Sequence, residues 1–292
     1  MRISDEQVDH WLRHGYVVIP GFLTPLELAA ARQNIARYLP TAEEYAAAPE
    51  RYANLKTGIN FPAAPFVGDA LNGIMTHPEI IAFVERALGT PEIALVQTGL
   101  AAKYGGRPDA DQDLHLDYLN NDLLYPRDDG AFRQIPMILY YSDVTTETSP
   151  TYVVSQQHTG DEFLYPTHRT RQEHPHLYAH EQPMVCPAGS LLIYSMRTFH
   201  RGSAFRASSG ARFVQFLVYA HAAYRWMGMN GWSTHGYLPT MRRLMETATV
   251  AQRGLLGVPP PGHPYWTAET LAGVAARYPG MDMAPYRQAT GA

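Results

Sequence analysis

His115 and Asp117 lie two residues apart in the stretch DLHLDYLNND, Asp113 to Asp122. In a β-strand, side chains two positions apart point to the same face, so an imidazole and a carboxylate would lie side by side. One more histidine from a distant strand would complete the 2-His-1-carboxylate set that holds non-haem Fe(II). The triplet H-x-D is weak by itself, because 13 histidines and 27 acidic residues will produce it by chance. The rest of the chain must therefore supply the third ligand.

His200 and Arg212 supply a third ligand and an anion-binding group in the required order. The strand-like run GSLLIYS, Gly189 to Ser195, is followed closely by His200, and Arg212 opens the apolar run RFVQFLVYA. A lone charge on a buried strand face costs free energy unless it is paired, and arginine binds a carboxylate with two hydrogen bonds. The partner that this pattern favours is the distal carboxylate of 2-oxoglutarate, whose keto-acid end chelates iron.

These residues together resemble the phytanoyl-CoA dioxygenase-like family of Fe(II)/2-oxoglutarate oxygenases, over about Asp5 to Ala220. One stretch departs from the family: Ser155 to His158 has S-Q-Q-H where many relatives have P-G-S-H, so this turn is expected to differ locally. Further similar stretches are HGYVVIPGFLTPLEL near the N-terminus, THPEIIAFVERALG before the core, TYVVSQQHTGD after the acidic strand, and F-H-R-G-S around the distal histidine.

The resemblance implies a fold and a chemistry. The fold is mainly β with flanking helices, a double-stranded β-helix of roughly eight strands, the cupin-like jelly-roll. The implied metal ligands are His115, Asp117 and His200, with Fe(II), 2-oxoglutarate and O2 as cofactor and cosubstrates. The implied reaction hydroxylates or otherwise oxidises a small organic molecule and releases succinate and CO2. In halogenating relatives a small residue replaces the carboxylate of the H-x-D motif, so Asp117 implies hydroxylation.

Each of these residues also has a structural interpretation. His115 and Asp117 could be a surface strand pair without metal, His200 a hydrogen-bonded core histidine, and Arg212 a member of a structural salt bridge. Two alternative functions follow, namely a non-catalytic jelly-roll ligand-binding protein and a cupin-type metalloenzyme without 2-oxoglutarate. The presence of all three ligands disfavours the first alternative, and Arg212 disfavours the second.

Several further residues are candidates for contacts with 2-oxoglutarate. Gln97 and Lys103 lie on the strand-like run before the H-x-D stretch, and both could point into the barrel. The hydroxyl of Ser203 could assist the arginine, although a Gly-Ser turn explains it equally well. One of Tyr140 and Tyr141 must face inward, and the sequence leaves open which one does.

Other polar stretches are assigned to surface or substrate. The cluster His168, His174, His176 and His180 is an alternative metal site, but it lies in a polar, proline-containing loop without a convergent carboxylate, which favours a solvated cover segment. Residues 120–122, together with the loops 54–66 and 118–134, are expected to line the substrate mouth.

The elements that position these residues follow from the hydrophobic pattern. Residues 1–90 are predicted to be a helical N-terminal part, 91–223 the jelly-roll core with its short β-compatible runs, and 224–292 a C-terminal cover packed over the barrel mouth, all in a single domain. The 292-residue length and the 46% hydrophobic content fit such a domain.

Composition also bounds the partners. The net charge of −4 gives no reason to expect a nucleic-acid or membrane partner. The single cysteine, Cys186, excludes intrachain disulfides and is interpreted as a small buried hydrophobe. With no apolar leader or long apolar run, we expect a cytoplasmic protein, monomeric or homodimeric.

Overall fold

The computed structural model describes residues 2–58, 64–117, 123–124, 132–160, 162–224, 228 and 231–290. The expected substrate-mouth residues Asn120, Asn121 and Asp122, and much of the loop 118–134, lie outside these ranges.

Helices lead into the core and follow it. Ser4 and Gln7 form a capping box at the start of α1, and Gly15 ends that helix in the left-handed conformation at φ 76°. Thr24 and Glu27 form the same box on α2, which has proline at its first position. The helices are α1 (Asp5–His14), α2 (Pro25–Ile35), α3 (Ala42–Ala47), α4 (Ala70–Ile74), α5 (Pro78–Leu88), α6 (Pro175–Tyr178), α7 (Pro239–Thr247), α8 (Val250–Gly254), α9 (Ala268–Arg277) and α10 (Ala284–Thr290), with 3-10 turns at Pro49–Tyr52, Gln156–His158 and Trp232–His235.

Ten strands form two antiparallel five-stranded sheets in the described chain. The major sheet has the order β1 (Tyr16–Ile19), β8 (Leu191–Tyr194), β4 (Gln134–Tyr140), β10 (Ala211–His221) and β2 (Ile93–Tyr104). The minor sheet has the order β6 (His168–Arg169), β3 (Leu114–His115), β9 (His200–Gly202), β5 (Thr151–Val154) and β7 (Glu181–Pro183). The non-sequential strand order of two facing sheets is that of the predicted jelly-roll.

Alternation along the strands separates three apolar clusters. In β4, Ile138 and Tyr140 point between the sheets, whereas Met137 and Leu139 point to the helices on the outer face of the major sheet. Cys186 is buried between the sheets, as its interpretation required, and burial raises the pKa of its thiol to about 11. The third cluster lies behind the minor sheet.

The described C-terminal tail packs on the outer face of the major sheet. Met241, Leu244, Leu255 and Trp266 belong to the same apolar cluster as the N-terminal helices. The Leu255 carbonyl accepts a hydrogen bond from Leu95 N (2.9 Å), so the tail pairs with part of the edge strand β2. None of these tail residues lines the cavity described below. The tail was predicted to cover the barrel mouth, but its described part lies elsewhere, because its apolar side chains pack against the N-terminal helices. Trp226, where the predicted cover begins, lies outside the described residues.

No helix in the described ranges is both long enough and apolar enough to cross a membrane.

Candidate metal centre and the cavity around it

His115 and His200 are brought together by the register of the minor sheet. The two residues are direct antiparallel partners on β3 and β9, a position in which Cβ atoms lie about 5 Å apart. Each Nδ1 donates a hydrogen bond to a main-chain carbonyl, of Asp113 (2.8 Å) for His115 and of Thr198 (3.0 Å) for His200. These bonds leave each Nε2 free as a ligand atom and fix the orientation of the ring, as the outer partners of metal-bound histidines commonly do.

Asp117 completes the group from a position that the sequence did not predict. Strand β3 ends at His115, so Asp117 lies in the turn beyond it. The alternation nevertheless continues, since Leu114 and Leu116 both enter the cluster behind the sheet while Asp117 faces the histidines. Its Oδ1 lies 3.7 Å from His115 Nε2 and its Oδ2 lies 3.2 Å from His200 Nε2. One ligand atom from each of the three residues lies within 4.8 Å of the others.

Charge and burial oppose each other in this group. Burial by itself would raise the pKa of Asp117, but the charge and hydrogen bond of His200, with His115 and Tyr194, hold it far below its ordinary value. Burial would lower the pKa of His200, and the Asp117 carboxylate outweighs it and raises that pKa. For His115, burial and then the charge of His200 dominate and lower the pKa to about 4. At neutral pH, His115 is therefore neutral, which is the form that binds a metal, whereas at His200 a metal ion would compete with a proton.

The three side chains face a cavity of about 530 Å³ between the two sheets. Its polar wall includes Gln97, Lys103, Tyr194 and Arg212, and its apolar wall includes Ile138 and Phe216. Thr57 and Gly58, from the loop expected at the substrate mouth, also line it. The remaining lining residues are Ala101, Ala102, Tyr104, Arg107, Pro108, Asp109, Gln112, Pro136, Met137, Thr151, Gly202 and Val218.

Arg212 is a buried cation on the wall of this cavity. It lies on β10 opposite Lys103 of β2 and is only 7% exposed. One guanidinium nitrogen donates to the Ser149 carbonyl, and the buried Nε has no hydrogen-bond partner among the described residues. Within the described ranges, no carboxylate forms a salt bridge with Arg212, which disfavours the structural salt bridge. Burial lowers its pKa from the ordinary value, yet guanidinium stays charged.

Lys103 lies beside Arg212 and makes the cavity more cationic. Its Nζ lies 2.8 Å from Asp109 Oδ2 and donates to the Ser203 carbonyl at 2.8 Å. Burial lowers the pKa of Lys103; the hydrogen bond that Lys103 donates to Asp109 opposes that shift, and the charge of Arg212 adds to it. Lys103 is paired with Asp109, and Arg212 beside it forms no salt bridge with a described residue, so this part of the wall suits an anionic ligand.

The other candidates for cosubstrate contacts differ in how exposed they are to the cavity. Gln97 is 5% exposed and lines the wall, and in the described part of the chain its buried Oε1 has no hydrogen-bond partner. Ser203 does not line the cavity, because its hydroxyl donates to the Pro150 carbonyl (2.7 Å) behind Lys103. Tyr140 faces between the sheets and donates to Thr151 Oγ1 (2.8 Å), whereas Tyr141 faces the helices and binds Gln215. Of the residues predicted to contact 2-oxoglutarate, Gln97 and Lys103 therefore lie on the cavity wall with Arg212, whereas Ser203, Tyr140 and Tyr141 do not.

Tyr194 is a site residue that sequence reasoning missed. It is the last residue of β8, and its hydroxyl donates to Asp117 Oδ2 at 3.0 Å. Burial and the nearby Asp117 charge raise its pKa well above the ordinary value, so the phenol keeps its proton. The available signal was the alternation in GSLLIYS, which directs Leu192 and Tyr194 to the same, inner face.

The loop histidines do not form one cluster. His168 stacks on His115 (ring centroids 5.4 Å apart) and His180 stacks on His158 (4.0 Å). His174 and His176 do meet a carboxylate, that of Glu162, which the sequence had not indicated. His176 is 55% exposed, and its Nε2 pairs with Glu162 at 2.8 Å, so a surface ion pair accounts for this group.

Fold and site together define a class, a jelly-roll protein with two histidines and one carboxylate facing an internal cavity. The model of the phytanoyl-CoA dioxygenase (PhyH) family matches residues 11–214. This match covers more than half of the chain, and the chain belongs to this family. No curated protein matches it.

Solved structures share the fold. The non-haem alpha-ketoglutarate-dependent carbocyclase SnoK from nogalamycin biosynthesis is 20% identical, with a TM-score of 0.56 over 80% of this chain and 90% of its own. The epimerase SnoN, in complex with Fe3+, alpha-ketoglutarate and nogalamycin RO, is 21% identical, with a TM-score of 0.52 over the same shares. Apo HygX from Streptomyces hygroscopicus is 15% identical, with a TM-score of 0.54 over 76% and 88%. At such low sequence identities these likenesses show a common fold only, so the reaction must be inferred from the residues of the site.

Proposed function

We propose that this chain is a non-haem Fe(II)- and 2-oxoglutarate-dependent oxygenase that hydroxylates, or otherwise oxidises, a small organic molecule. The observation that carries the proposal is the coincidence, in one cavity, of a two-histidine, one-carboxylate group with a buried arginine that forms no salt bridge among the described residues. Membership of the phytanoyl-CoA dioxygenase family supports it. Two of the enzymes whose solved structures share the fold, the epimerase SnoN and the carbocyclase SnoK, are described as alpha-ketoglutarate-dependent.

His115, Asp117 and His200 would hold the iron. Two imidazole nitrogens and one carboxylate oxygen are the donor set of ferrous oxygenase centres, and they leave positions open for other ligands. Both imidazoles are already held by their Nδ1 hydrogen bonds. Bound iron would supply the activation of O2 coupled to decarboxylation of 2-oxoglutarate, so that substrate, 2-oxoglutarate and O2 give oxidised substrate, succinate and CO2.

Arg212, Lys103 and Gln97 would hold the cosubstrate. The free Nε and the fork of Arg212 can bind a carboxylate with two hydrogen bonds. Lys103 adds a second positive charge, which Asp109 only partly balances. The Gln97 side chain lines the same wall, where its amide would form a hydrogen bond with the cosubstrate. A dicarboxylic acid is the ligand that such a wall favours over a neutral one.

The substrate would occupy the rest of the cavity. Pro136, Ile138, Phe216 and Val218 give this space an apolar wall. A total of about 530 Å³ lies within the range of ligand pockets, so it accommodates the cosubstrate together with part of a mid-sized molecule.

Anaerobic titration with Fe(II) and 2-oxoglutarate tests this function without knowledge of the substrate. We expect a visible metal-to-ligand charge-transfer band that requires both additions, and succinate release once air is admitted. Asp117→Ala should abolish both, whereas Asp69→Ala, which removes an exposed aspartate bonded to Arg243, should leave both unchanged.

The same titration separates the alternatives. A ligand-binding protein without metal chemistry would give no band with Fe(II), and a metalloenzyme without 2-oxoglutarate would bind Fe(II) but give no band on addition of the oxoacid. Either result with the folded wild-type protein would contradict the proposal.

A further inference from the structure

The strand that carries His115 does not hold Asp117. Strand β3 ends at His115, and the next main-chain hydrogen bond is from Leu116 N to the Thr167 carbonyl (3.1 Å). Asp117 lies one residue further on, in a turn. Beyond the end of a strand, the direction of a carboxylate depends on its side-chain contacts as well as on its main chain.

Tyr194 provides a contact of that kind from the opposite sheet. It lies on β8, which is paired with β1 on one side and β4 on the other. It is 3% exposed, and its hydroxyl donates to Asp117 Oδ2 at 3.0 Å. Its ring lies against that of His200, with centroids 4.6 Å apart. One phenol therefore touches two of the three proposed ligands.

We propose that Tyr194 is the positioning residue of Asp117: its hydrogen bond occupies one carboxylate oxygen, directs the other to the metal, and prevents the carboxylate from turning away. This inference rests on the proposed function. It assigns to the major sheet a part of the metal centre whose three ligands all come from the minor sheet and the turn that follows β3.

The expected consequence is a change in metal affinity. Loss of an outer partner of a metal ligand typically costs about 10–100-fold in metal affinity. Tyr194→Phe keeps the ring and its packing and removes only the donor. A purely structural tyrosine would lower stability on this change and leave the affinity of the folded protein for metal unchanged.

Tyr219→Phe is the matched control. Tyr219 is a fully buried tyrosine on β10 of the same sheet, and its hydroxyl donates to the Met75 carbonyl at 2.7 Å, on the outer face away from the cavity. Both variants therefore lose one buried hydroxyl and one hydrogen bond.

The dissociation constants of Fe(II) and Co(II) can be measured anaerobically, without 2-oxoglutarate, by competition with a chromophoric chelator. We expect Tyr194→Phe to bind both ions about 10–100-fold more weakly, with an altered Co(II) absorption spectrum, and Tyr219→Phe to stay within about twofold of wild type. Wild-type affinity in Tyr194→Phe would overturn the inference. Failure of the wild-type protein to bind either ion would instead contradict the proposed function.

A double-mutant cycle tests whether Tyr194 acts through Asp117. In the Asp117→Ala background, Tyr194→Phe should have no further effect on the residual binding of metal by the two histidines. An equal loss in both backgrounds would show that the tyrosine acts through the fold, and would overturn the inference. If thermal unfolding shows that Tyr194→Phe is not folded, Tyr194→Met, which also lacks the donor, takes its place with the same expected results.

Discussion

Arg212 and Lys103 place two positive charges on one wall of a largely buried cavity. Lys103 is paired with Asp109, whereas Arg212 contacts the Ser149 carbonyl and its buried Nε finds no acceptor in the ranges that the structure describes. An unsatisfied buried donor costs about 1–3 kcal/mol. A ligand carboxylate would remove this cost, so the free energy of ligand binding should depend strongly on Arg212.

We predict that Arg212→Ala weakens 2-oxoglutarate binding by at least about thirtyfold while Fe(II) affinity changes by less than about threefold. Truncation of one partner of a buried charge pair costs about 2–5 kcal/mol. Arg212→Lys should fall between wild type and alanine, because an ammonium lacks the planar fork. The titration of the charge-transfer band measures both affinities.

The control for this prediction is Arg206→Ala, which removes a half-exposed arginine paired with Asp111. Unchanged 2-oxoglutarate affinity in folded Arg212→Ala would assign Arg212 to structure and weaken the proposal for the cosubstrate.

We predict that halide does not enter the metal centre of the wild-type protein. Asp117 supplies a carboxylate at the position that halogenating relatives leave open, and the Tyr194 hydroxyl restrains it. Chloride or bromide added to the anaerobic complex with Fe(II) and 2-oxoglutarate should leave the charge-transfer band unchanged. A saturable shift in the wild-type spectrum would overturn this assignment and the expectation of hydroxylation.

The side chains that the sequence could reveal differ from Tyr194 in a simple way. Histidine and aspartate at H-x-D spacing, and arginine in an apolar run, are costly to bury without a partner, so their position alone indicates a site. Tyr194 is an ordinary residue for a buried strand, and its contact with Asp117 depends on how two distant sheets face each other. The metal-binding roles of the two histidines and Asp117, and the cosubstrate-binding role of Arg212, remain predictions that the titrations above test.

At the scale of elements, long apolar runs were predictable and short strands were not. The run IALVQTGLAAKY coincides with β2, and RFVQFLVYAHA covers most of β10. Strands β3, β6 and β9 have two or three residues each and few apolar side chains. They exist because neighbouring strands pair with them, which local sequence does not encode. The expectation that a strand continues through Asp117 was wrong for this reason.

The start of α2 is stabilised by a charge that can be titrated. Glu27 accepts hydrogen bonds from Arg2 (2.7 and 3.0 Å) and from Thr24 N (2.8 Å). The hydrogen bond from Arg2 is the main cause that lowers the pKa of Glu27 from 4.5 to about 2. Since the folded pKa is the lower one, the stabilisation is fully present above the unfolded pKa and is lost as pH falls through about 2.

We therefore predict that Glu27→Gln lowers the free energy of unfolding by about 1 kcal/mol at pH 7, a value reduced by partial solvent exposure. Glutamine preserves the capping box, so the change isolates the charge. The difference from wild type should stay constant down to about pH 5 and shrink toward pH 2. Urea unfolding at several pH values measures it, with the exposed Glu50→Gln as control. A difference that does not depend on pH would contradict the role of the charge.

At the scale of the whole molecule, the two faces of the major sheet have different roles. Its inner face, with the minor sheet, encloses the cavity, and its outer face is covered by N-terminal and C-terminal helices in one apolar cluster. The short, bounded apolar runs predicted a β-sandwich or barrel, and the family resemblance implied the jelly-roll; both are confirmed by the two antiparallel sheets and the family match. They could not predict where the tail packs, because apolar residues require burial without specifying a partner.

We predict that the tail is required for a stable fold. Truncation after Ala223 would remove Leu244, Leu255 and Trp266 from the cluster and free the edge of β2 at Leu95. Both effects expose apolar surface and unpaired backbone, which favour aggregation. The truncated chain should therefore show lower thermal stability and a tendency to self-associate in light scattering.

A point variant makes the same prediction quantitative. Leu255 is 2% exposed and Leu26 is 81% exposed. Leu255→Ala should cost about 2–5 kcal/mol of unfolding free energy, whereas Leu26→Ala should stay within about 0.5 kcal/mol. Fe(II) and 2-oxoglutarate affinities of folded Leu255→Ala should match those of wild type, because the described tail does not line the cavity. A truncated chain that remains monomeric, as stable as wild type and fully competent for both ligands would show that the tail is dispensable, and the packing at Leu255 would then carry no stabilisation of the core.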